Sequence, residues 1–149
     1  MGNVCRPISV MKKSIWILAL SPVAVALAAT ASRSIWDGIF SPGQVARGKM
    51  AYVSQCADCH GDELEGDGKK SSPLKGAEFM RTWRNKSVHR LIDTTRRTMP
   101  PEDPATLTRG FCTDVVAYIL AENGYPAGET DLAVDAPDLR QIVIEPPRK

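Results

Sequence analysis

The sequence lacks several features that would assign it to common classes of protein. Its 149 residues show no internal repeat and almost no strand-like alternation, which excludes a solenoid and predicts an all-α domain. Nothing in it is similar to a quinone-binding or nucleotide-binding domain. The length suffices for one domain and is short for two.

The chain also lacks an apolar run long enough to span a membrane comfortably. The longest run follows Lys12 and Lys13, is interrupted by Pro22 and ends in small residues. A basic start, an apolar centre and a small-residue end are typical of a secretory signal peptide. We therefore expect residues 1–31 to be a cleaved signal peptide, with a permanent membrane anchor as the alternative.

The boundaries of this segment stay open. Cleavage after Ala28 or after Ala31 would fit the small-residue rule. Met11 is an alternative start, which would make residues 1–10 an upstream extension. The remaining residues, 32–149, are predicted to form one exported domain, and the expected location is the periplasm.

Net charge is small as well. The chain carries 19 basic and 17 acidic residues. Three of the basic residues lie in the predicted signal peptide, which holds no acid, so the mature chain is close to neutral. A near-neutral chain argues against a nucleic-acid partner.

Cysteine is scarce, and two of the cysteines belong to a haem-attachment motif. After the predicted signal only Cys56, Cys59 and Cys112 remain, an odd number that argues against a disulfide framework. Cys56 and Cys59 precede His60 in the order Cys-x-x-Cys-His, which attaches c-type haem. Both thiols can reach the vinyl groups of one porphyrin, and His60 then offers a nitrogen to the iron. One covalent haem c is therefore predicted.

Three alternatives to haem compete. Structural zinc would need a fourth ligand beside Cys56, Cys59 and His60, such as Cys112 or His89. A thioredoxin-like dithiol would need a βαβ context, which the sequence lacks. A chance match is conceivable for any five-residue pattern. The export signal and a candidate distal ligand favour haem.

Met99 is the predicted sixth ligand of the haem iron. It follows a helical pattern and precedes Pro100, which stops the helix and stiffens the loop. Met80, expected in the core, and His89, expected near the surface, are the alternatives. Ligation by His and Met fills both axial positions and raises the reduction potential. No open haem site is then expected, which favours an electron carrier over an enzyme.

Helical patterns surround these residues. We expect helices from Ser41 to about Gln55, from Glu78 to Arg84, after the cap Ser87, and from Thr108 or Thr113 to Gly124. A Pro-rich tail follows from about residue 125, with a strand-like run at 142–144. Gly48 in mid-helix indicates close helix contact. Trp83 fits either core packing or an indole N–H donated to a haem propionate. Cys112 is expected to be a small buried side chain.

These patterns resemble the class I cytochrome c family across most of the mature chain. The resemblance lies in Gly48, in Tyr52 with the Cys56–Gly61 motif, in Pro73-Leu74-Lys75-Gly76, in Thr98-Met99-Pro100 and in the run 114–120. It implies that the N- and C-terminal helices cross, with Gly48 and Tyr52 meeting Ala117 and Tyr118. It also implies that the Pro73 carbonyl accepts a hydrogen bond from His60.

Shorter runs are similar to a narrower group. Trp36-Asp37-Gly38, the run 123–128 and the tail 142–144 resemble small exported cytochromes associated with quinoprotein (PQQ-dependent) dehydrogenases. This likeness implies a periplasmic carrier that passes single electrons from a dehydrogenase to the respiratory chain, through a downstream oxidase or cytochrome. The alternative is a haem-bearing electron-entry subunit of a quinoprotein dehydrogenase complex.

Overall fold

The computed structural model describes Gly2, residues 33–69 and residues 71–148. The regular structure of these residues is helical. The α-helices are α1 (Pro42–Gln55), α2 (Ala57–His60), α3 (Gly76–Trp83), α4 (Val88–Thr98) and α5 (Arg109–Glu122), and a 3-10 helix spans Pro137–Arg140. In the described ranges the only strand-like pairing is an antiparallel bridge between Ser87 and Val143. The all-α prediction is confirmed.

The predicted signal peptide, residues 1–31, lies outside the described residues apart from Gly2. Within the described ranges, no helix combines the length and the apolar character needed to cross a membrane.

Three helices begin at hydroxyl caps. The side-chain oxygens of Ser41, Ser87 and Thr108 each accept a hydrogen bond from the backbone N–H three residues later. These bonds satisfy donors that have no partner inside the helix. Thr113, the other candidate for the last cap, instead lies buried inside α5 and donates to the carbonyl of Arg109.

The α1–α5 crossing confirms the predicted contact of the N- and C-terminal helices. A Cβ atom on Gly48 would lie 1.9 Å from the carbonyl oxygen of Asp114, so only glycine allows this approach. One turn later the rings of Tyr52 and Tyr118 pack with centroids 5.4 Å apart. Ala117 is fully buried in the same region. The crossing therefore forms the centre of the fold.

α4 packs on α5 through one apolar face. Val88, Leu91 and Ile92 are buried, while the last turn carries Arg96 and Arg97. α3 starts two residues earlier than expected, at Gly76 in place of Glu78, and ends at Trp83. It buries Phe79 against the same core.

The residues after α5 form a C-terminal strap, residues 125–148. The Gly128 N–H donates to the carbonyl of Phe40 at 2.7 Å, which ties the strap to the segment before α1. Further hydrophobic side chains of the strap are buried, namely Tyr125, Leu132, Leu139, Ile142 and Ile144. The strap is therefore part of the core. Its predicted strand-like run, 142–144, pairs with the chain just before α4.

Candidate haem-binding site

Cys56 separates α1 from α2 and places the attachment motif. Its backbone (φ −125°, ψ −31°) ends the first helix and begins the second. The Cys59 N–H donates to the Cys56 carbonyl at 3.2 Å, so the two residues lie about one turn apart and their side chains share a face. Cys56 is half-buried, Cys59 is exposed and both thiols are free.

Burial raises the pKa of the Cys56 thiol to about 11, and the neighbouring thiols of Cys112 and Cys59 add to the effect. Cys112 is fully buried on α5, which confirms that it is a small core side chain. Burial also raises the pKa of Cys112.

The backbone carbonyl of Ser72 supports the ring of His60. Nδ1 of His60 lies 3.1 Å from this oxygen. Because a carbonyl can only accept, the ring donates from Nδ1 and its Nε2 keeps a lone pair for a metal. We expected the Pro73 carbonyl to accept this hydrogen bond. In the structure the acceptor is the Ser72 carbonyl, one residue earlier. Sequence reasoning missed Ser72, although its position directly before a proline was a usable signal.

Backbone hydrogen bonds in the loop after the motif account for this one-residue difference. The Gly66 N–H donates to the His60 carbonyl at 2.7 Å, and the Leu74 N–H donates to the Leu64 carbonyl at 2.8 Å. These bonds fold the loop back on the motif, and the residue before Pro73 presents its carbonyl to the ring. The Tyr52 hydroxyl donates to the Gly61 carbonyl at 2.6 Å and ties the loop to α1.

Met99 forms the C-cap of α4. Its N–H donates to the Thr95 carbonyl at 3.0 Å, and its side chain is half-buried. Counted at helical spacing, Met99 follows Leu91, Ile92 and Thr95, and its extended backbone (φ −122°, ψ 144°) ends the helix. Met99 therefore lies at the C-terminal end of α4, where the chain leaves the helix.

The two alternative ligands have other surroundings. Sδ of Met80 lies 3.6 Å from the hydroxyl of Tyr125, so its thioether faces the strap. His89 lines a surface cleft of about 470 Å³ between α4 and the 3-10 helix, on the side of α4 that carries Arg90. Burial lowers the pKa of His89, and Arg140 is the next cause.

Trp83 and Trp36 differ in their contacts. Trp83 is half-buried against the core, and the ammonium of Lys86 lies 5.1 Å from its ring centroid. Trp36 stacks on Tyr125 with centroids 4.9 Å apart. Nε1 of Trp36 is buried and has no hydrogen-bond partner within the described part of the chain.

The donor set fits a c-type haem. Two free thiols one turn apart precede a histidine whose Nδ1 is engaged and whose Nε2 is available. Zinc would need a further ligand beside Cys56, Cys59 and His60. Among the residues that the structure describes, no group of three or more His, Cys, Asp or Glu side chains is arranged to hold a metal ion.

Comparison with known families supplies the deciding observation. Residues 43–119, just over half of the chain, match the family described as cytochrome c oxidase, cbb3-type, subunit III. The chain belongs to this family of class I c-type cytochromes. Membership implies a covalently bound haem c with its iron, and it indicates a role in electron transfer.

A solved structure agrees with this assignment. The cytochrome is similar to a chain in the crystal structure of the sulfane dehydrogenase SoxCD from Paracoccus pantotrophus. The TM-score is 0.52 at 25% identity, and the match covers 85% of this chain and 68% of that one. Comparison with the curated proteins gives no match.

Proposed function

We propose that the mature chain is a periplasmic carrier of single electrons, with one haem c attached to Cys56 and Cys59 and ligated by His60 and Met99. The hydrogen bond between His60 Nδ1 and the Ser72 carbonyl supports it most directly. Such a bond fixes the tautomer and the ring orientation of a ligating imidazole. The cleaved signal peptide and the periplasmic location are part of the same proposal.

Each residue has a definite task in this proposal. The bound haem supplies one-electron chemistry through its Fe(II)/Fe(III) couple. His60 offers Nε2 while the Ser72 carbonyl holds Nδ1, and Pro73 stiffens the backbone at that carbonyl. We also assign to Trp83, half-buried at the end of α3, the role of an indole donor to a haem propionate.

Met99 is preferred as the second axial ligand because Met80 is engaged elsewhere and His89 lies in a surface cleft. Met80 accepts a contact from Tyr125, and His89 lies on the outer side of α4. A thioether from Met99 would exclude water and small ligands from the sixth position and favour the reduced iron. An electron carrier needs both properties.

A dehydrogenase is the proposed electron donor. The similar chain in SoxCD belongs to a sulfane dehydrogenase, so a domain of this shape occurs within a dehydrogenase assembly. The short runs shared with quinoprotein-associated cytochromes favour a PQQ-dependent enzyme, with the respiratory chain as acceptor. The SoxCD likeness also supports the second candidate, a haem-bearing electron-entry subunit that stays bound to its dehydrogenase.

Replacing Met99 tests the ligation. In Met99→Ala we expect the Met–Fe(III) charge-transfer band to disappear, the reduction potential to fall and exogenous imidazole to bind more tightly, because the sixth position opens. Met80→Ala is the matched control and should keep the band. An unchanged spectrum in Met99→Ala, or loss of the band in Met80→Ala, would refute the assignment.

A second experiment separates the carrier from the subunit. Haem-loaded protein is used to capture its redox partner at low and at high salt. A carrier should bind weakly and release at high salt, since exposed charges are screened. A partner held at fixed stoichiometry in high salt would favour the electron-entry subunit.

A further inference from the structure

The helix that carries Met99 is fastened at its other end by the C-terminal strap. The N–H of Val88, the first residue of α4, donates to the carbonyl of Ile142 at 2.9 Å. Ile144 forms two main-chain bonds with the turn before α4. Its N–H donates to the Lys86 carbonyl, and its carbonyl accepts from the Asn85 N–H, each at 2.9 Å. Three main-chain bonds therefore join the start of α4 to the strap.

The same strap residues also fill the core. Ile142 and Ile144 are both fully buried, as is Val88. Removing aliphatic side chains of this size from water stabilises the folded chain. We call this contact of Ile142 and Ile144 with the start of α4 the clamp. It combines backbone pairing with apolar packing, so a shift of the strap would disturb both.

The loop that follows Met99 offers less support. Residues 101–106 are exposed. The hydrogen bonds of this loop are local: the Asp103 N–H donates to the Pro100 carbonyl, and the Thr106 hydroxyl donates to the Asp103 carbonyl. Only Leu107 packs against the core. The position of Met99 is therefore set mainly through α4.

A small movement at the clamp is amplified at Met99. With 11 residues, α4 is about 16 Å long, so a tilt of about 4° displaces its far end by about 1 Å. Metal ligation tolerates little error in distance, and misplacement by about 1 Å is enough to weaken a functional contact.

We infer that Ile142 and Ile144 are positioning residues for Met99, and that the strap sets the strength of the sixth-ligand bond from the opposite end of α4. This inference rests on the proposed ligation by Met99. It assigns the strap a role in tuning the haem, beyond closing the core.

Imidazole binding to the oxidised, haem-loaded full chain tests the inference. Imidazole competes with the thioether, so a weaker Met99 bond appears as a lower apparent Kd. Ile142→Ala and Ile144→Ala should bind imidazole about tenfold more tightly than the wild type and weaken the Met–Fe(III) band. Ile144→Val, which keeps most of the side chain, should bind imidazole more tightly than the wild type by a smaller factor than Ile144→Ala.

Leu132→Ala is the matched control. Leu132 is buried in the same strap, but its N–H and carbonyl bond the side chain of Gln44 on α1. It should lose comparable stability in denaturant unfolding without a change in imidazole affinity. Equal changes in affinity for Leu132→Ala and Ile144→Ala, or no change in Ile144→Ala, would overturn the inference.

The wild-type spectrum separates the two proposals. A Met–Fe(III) band that Met99→Ala abolishes while the strap variants leave imidazole binding unchanged would overturn the strap role alone. Absence of the band in the wild type would remove Met99 as ligand, and the strap role with it. If Ile144→Ala does not fold, Ile144→Val decides, with an affinity between those of the wild type and Met99→Ala expected and an unchanged affinity contradicting the inference.

Discussion

The proximal and distal sides of the haem site are built over different distances along the chain. On the proximal side, Cys56, Cys59 and His60 lie on neighbouring turns, and the carbonyl that holds His60 comes 12 residues later. On the distal side, the proposed ligand Met99 follows a helix whose first turn pairs with the strap. A local site can withstand loss of stability elsewhere, whereas a site made by distant segments weakens with them.

The largest expected effect breaks both sides at once. In Gly48→Val, the new side chain would collide with the Asp114 carbonyl, 1.9 Å from the Cβ position. Since this atom belongs to the backbone of α5, the crossing must separate. We expect a loss of about 4 kcal/mol or more, or failure to fold, in denaturant unfolding.

An exposed position on the same helix provides the control. Ala46→Val adds a similar side chain facing solvent and should cost only about 0.6 kcal/mol through helix propensity. Similar unfolding curves for the two variants would show that the α1–α5 crossing is not the common support of the two sides.

A second variant should weaken the proximal loop without releasing its ligand. Leu64 is fully buried and bonds Leu74 through its carbonyl. Leu64→Ala should cost about 3 kcal/mol because it leaves a cavity. His60 should nevertheless stay ligated, since the two thioether bonds hold it beside the iron.

Each variant is measured by denaturant unfolding and by its visible spectrum, both at neutral pH. A low-spin spectrum with the Met–Fe(III) band intact is expected in Leu64→Ala, and Leu74→Ala, at a half-buried site, should cost less stability. Loss of His60 ligation in Leu64→Ala would contradict the idea that the proximal side is locally secured.

Local signals account for what the sequence predicts well. Ser41, Ser87 and Thr108 cap helices through bonds to residues three positions away, so the pattern is visible in a short window. The attachment motif is equally local. Gly48 is informative for a different reason, because a glycine inside a helix carries a cost that a close contact explains.

Long-range contacts account for what the sequence leaves open. The run 142–144 has a strand-like pattern, but nothing in it names the chain before α4 as its partner. The contact of Trp36 with Tyr125 joins the two ends of the domain in the same way. Whether Ser72 or Pro73 presents its carbonyl to His60 depends on how the loop closes. A shift of one residue in the register of the loop changes the acceptor.

The smallest expected effect concerns the outer face of α4. His89 faces Arg140, Arg109 and Arg97, with Asp93 as the opposing charge, and burial is the main reason that its pKa is lowered. Because the folded state binds this proton less readily, the unfolded chain takes it up first as pH falls below about 6.5. His89 should therefore destabilise the fold in acid and have no effect well above that pH.

Unfolding of the wild type and of His89→Gln between pH 8 and pH 5 measures this contribution as a difference. The variant should lose less stability on acidification, by a small amount, since the cleft is open to solvent. The Met–Fe(III) band should persist in both, because His89 lies in the first turn of α4, in the cleft beside the 3-10 helix, and Met99 caps the other end of α4. Identical pH profiles of unfolding would show that His89 makes no electrostatic contribution to the stability of the fold.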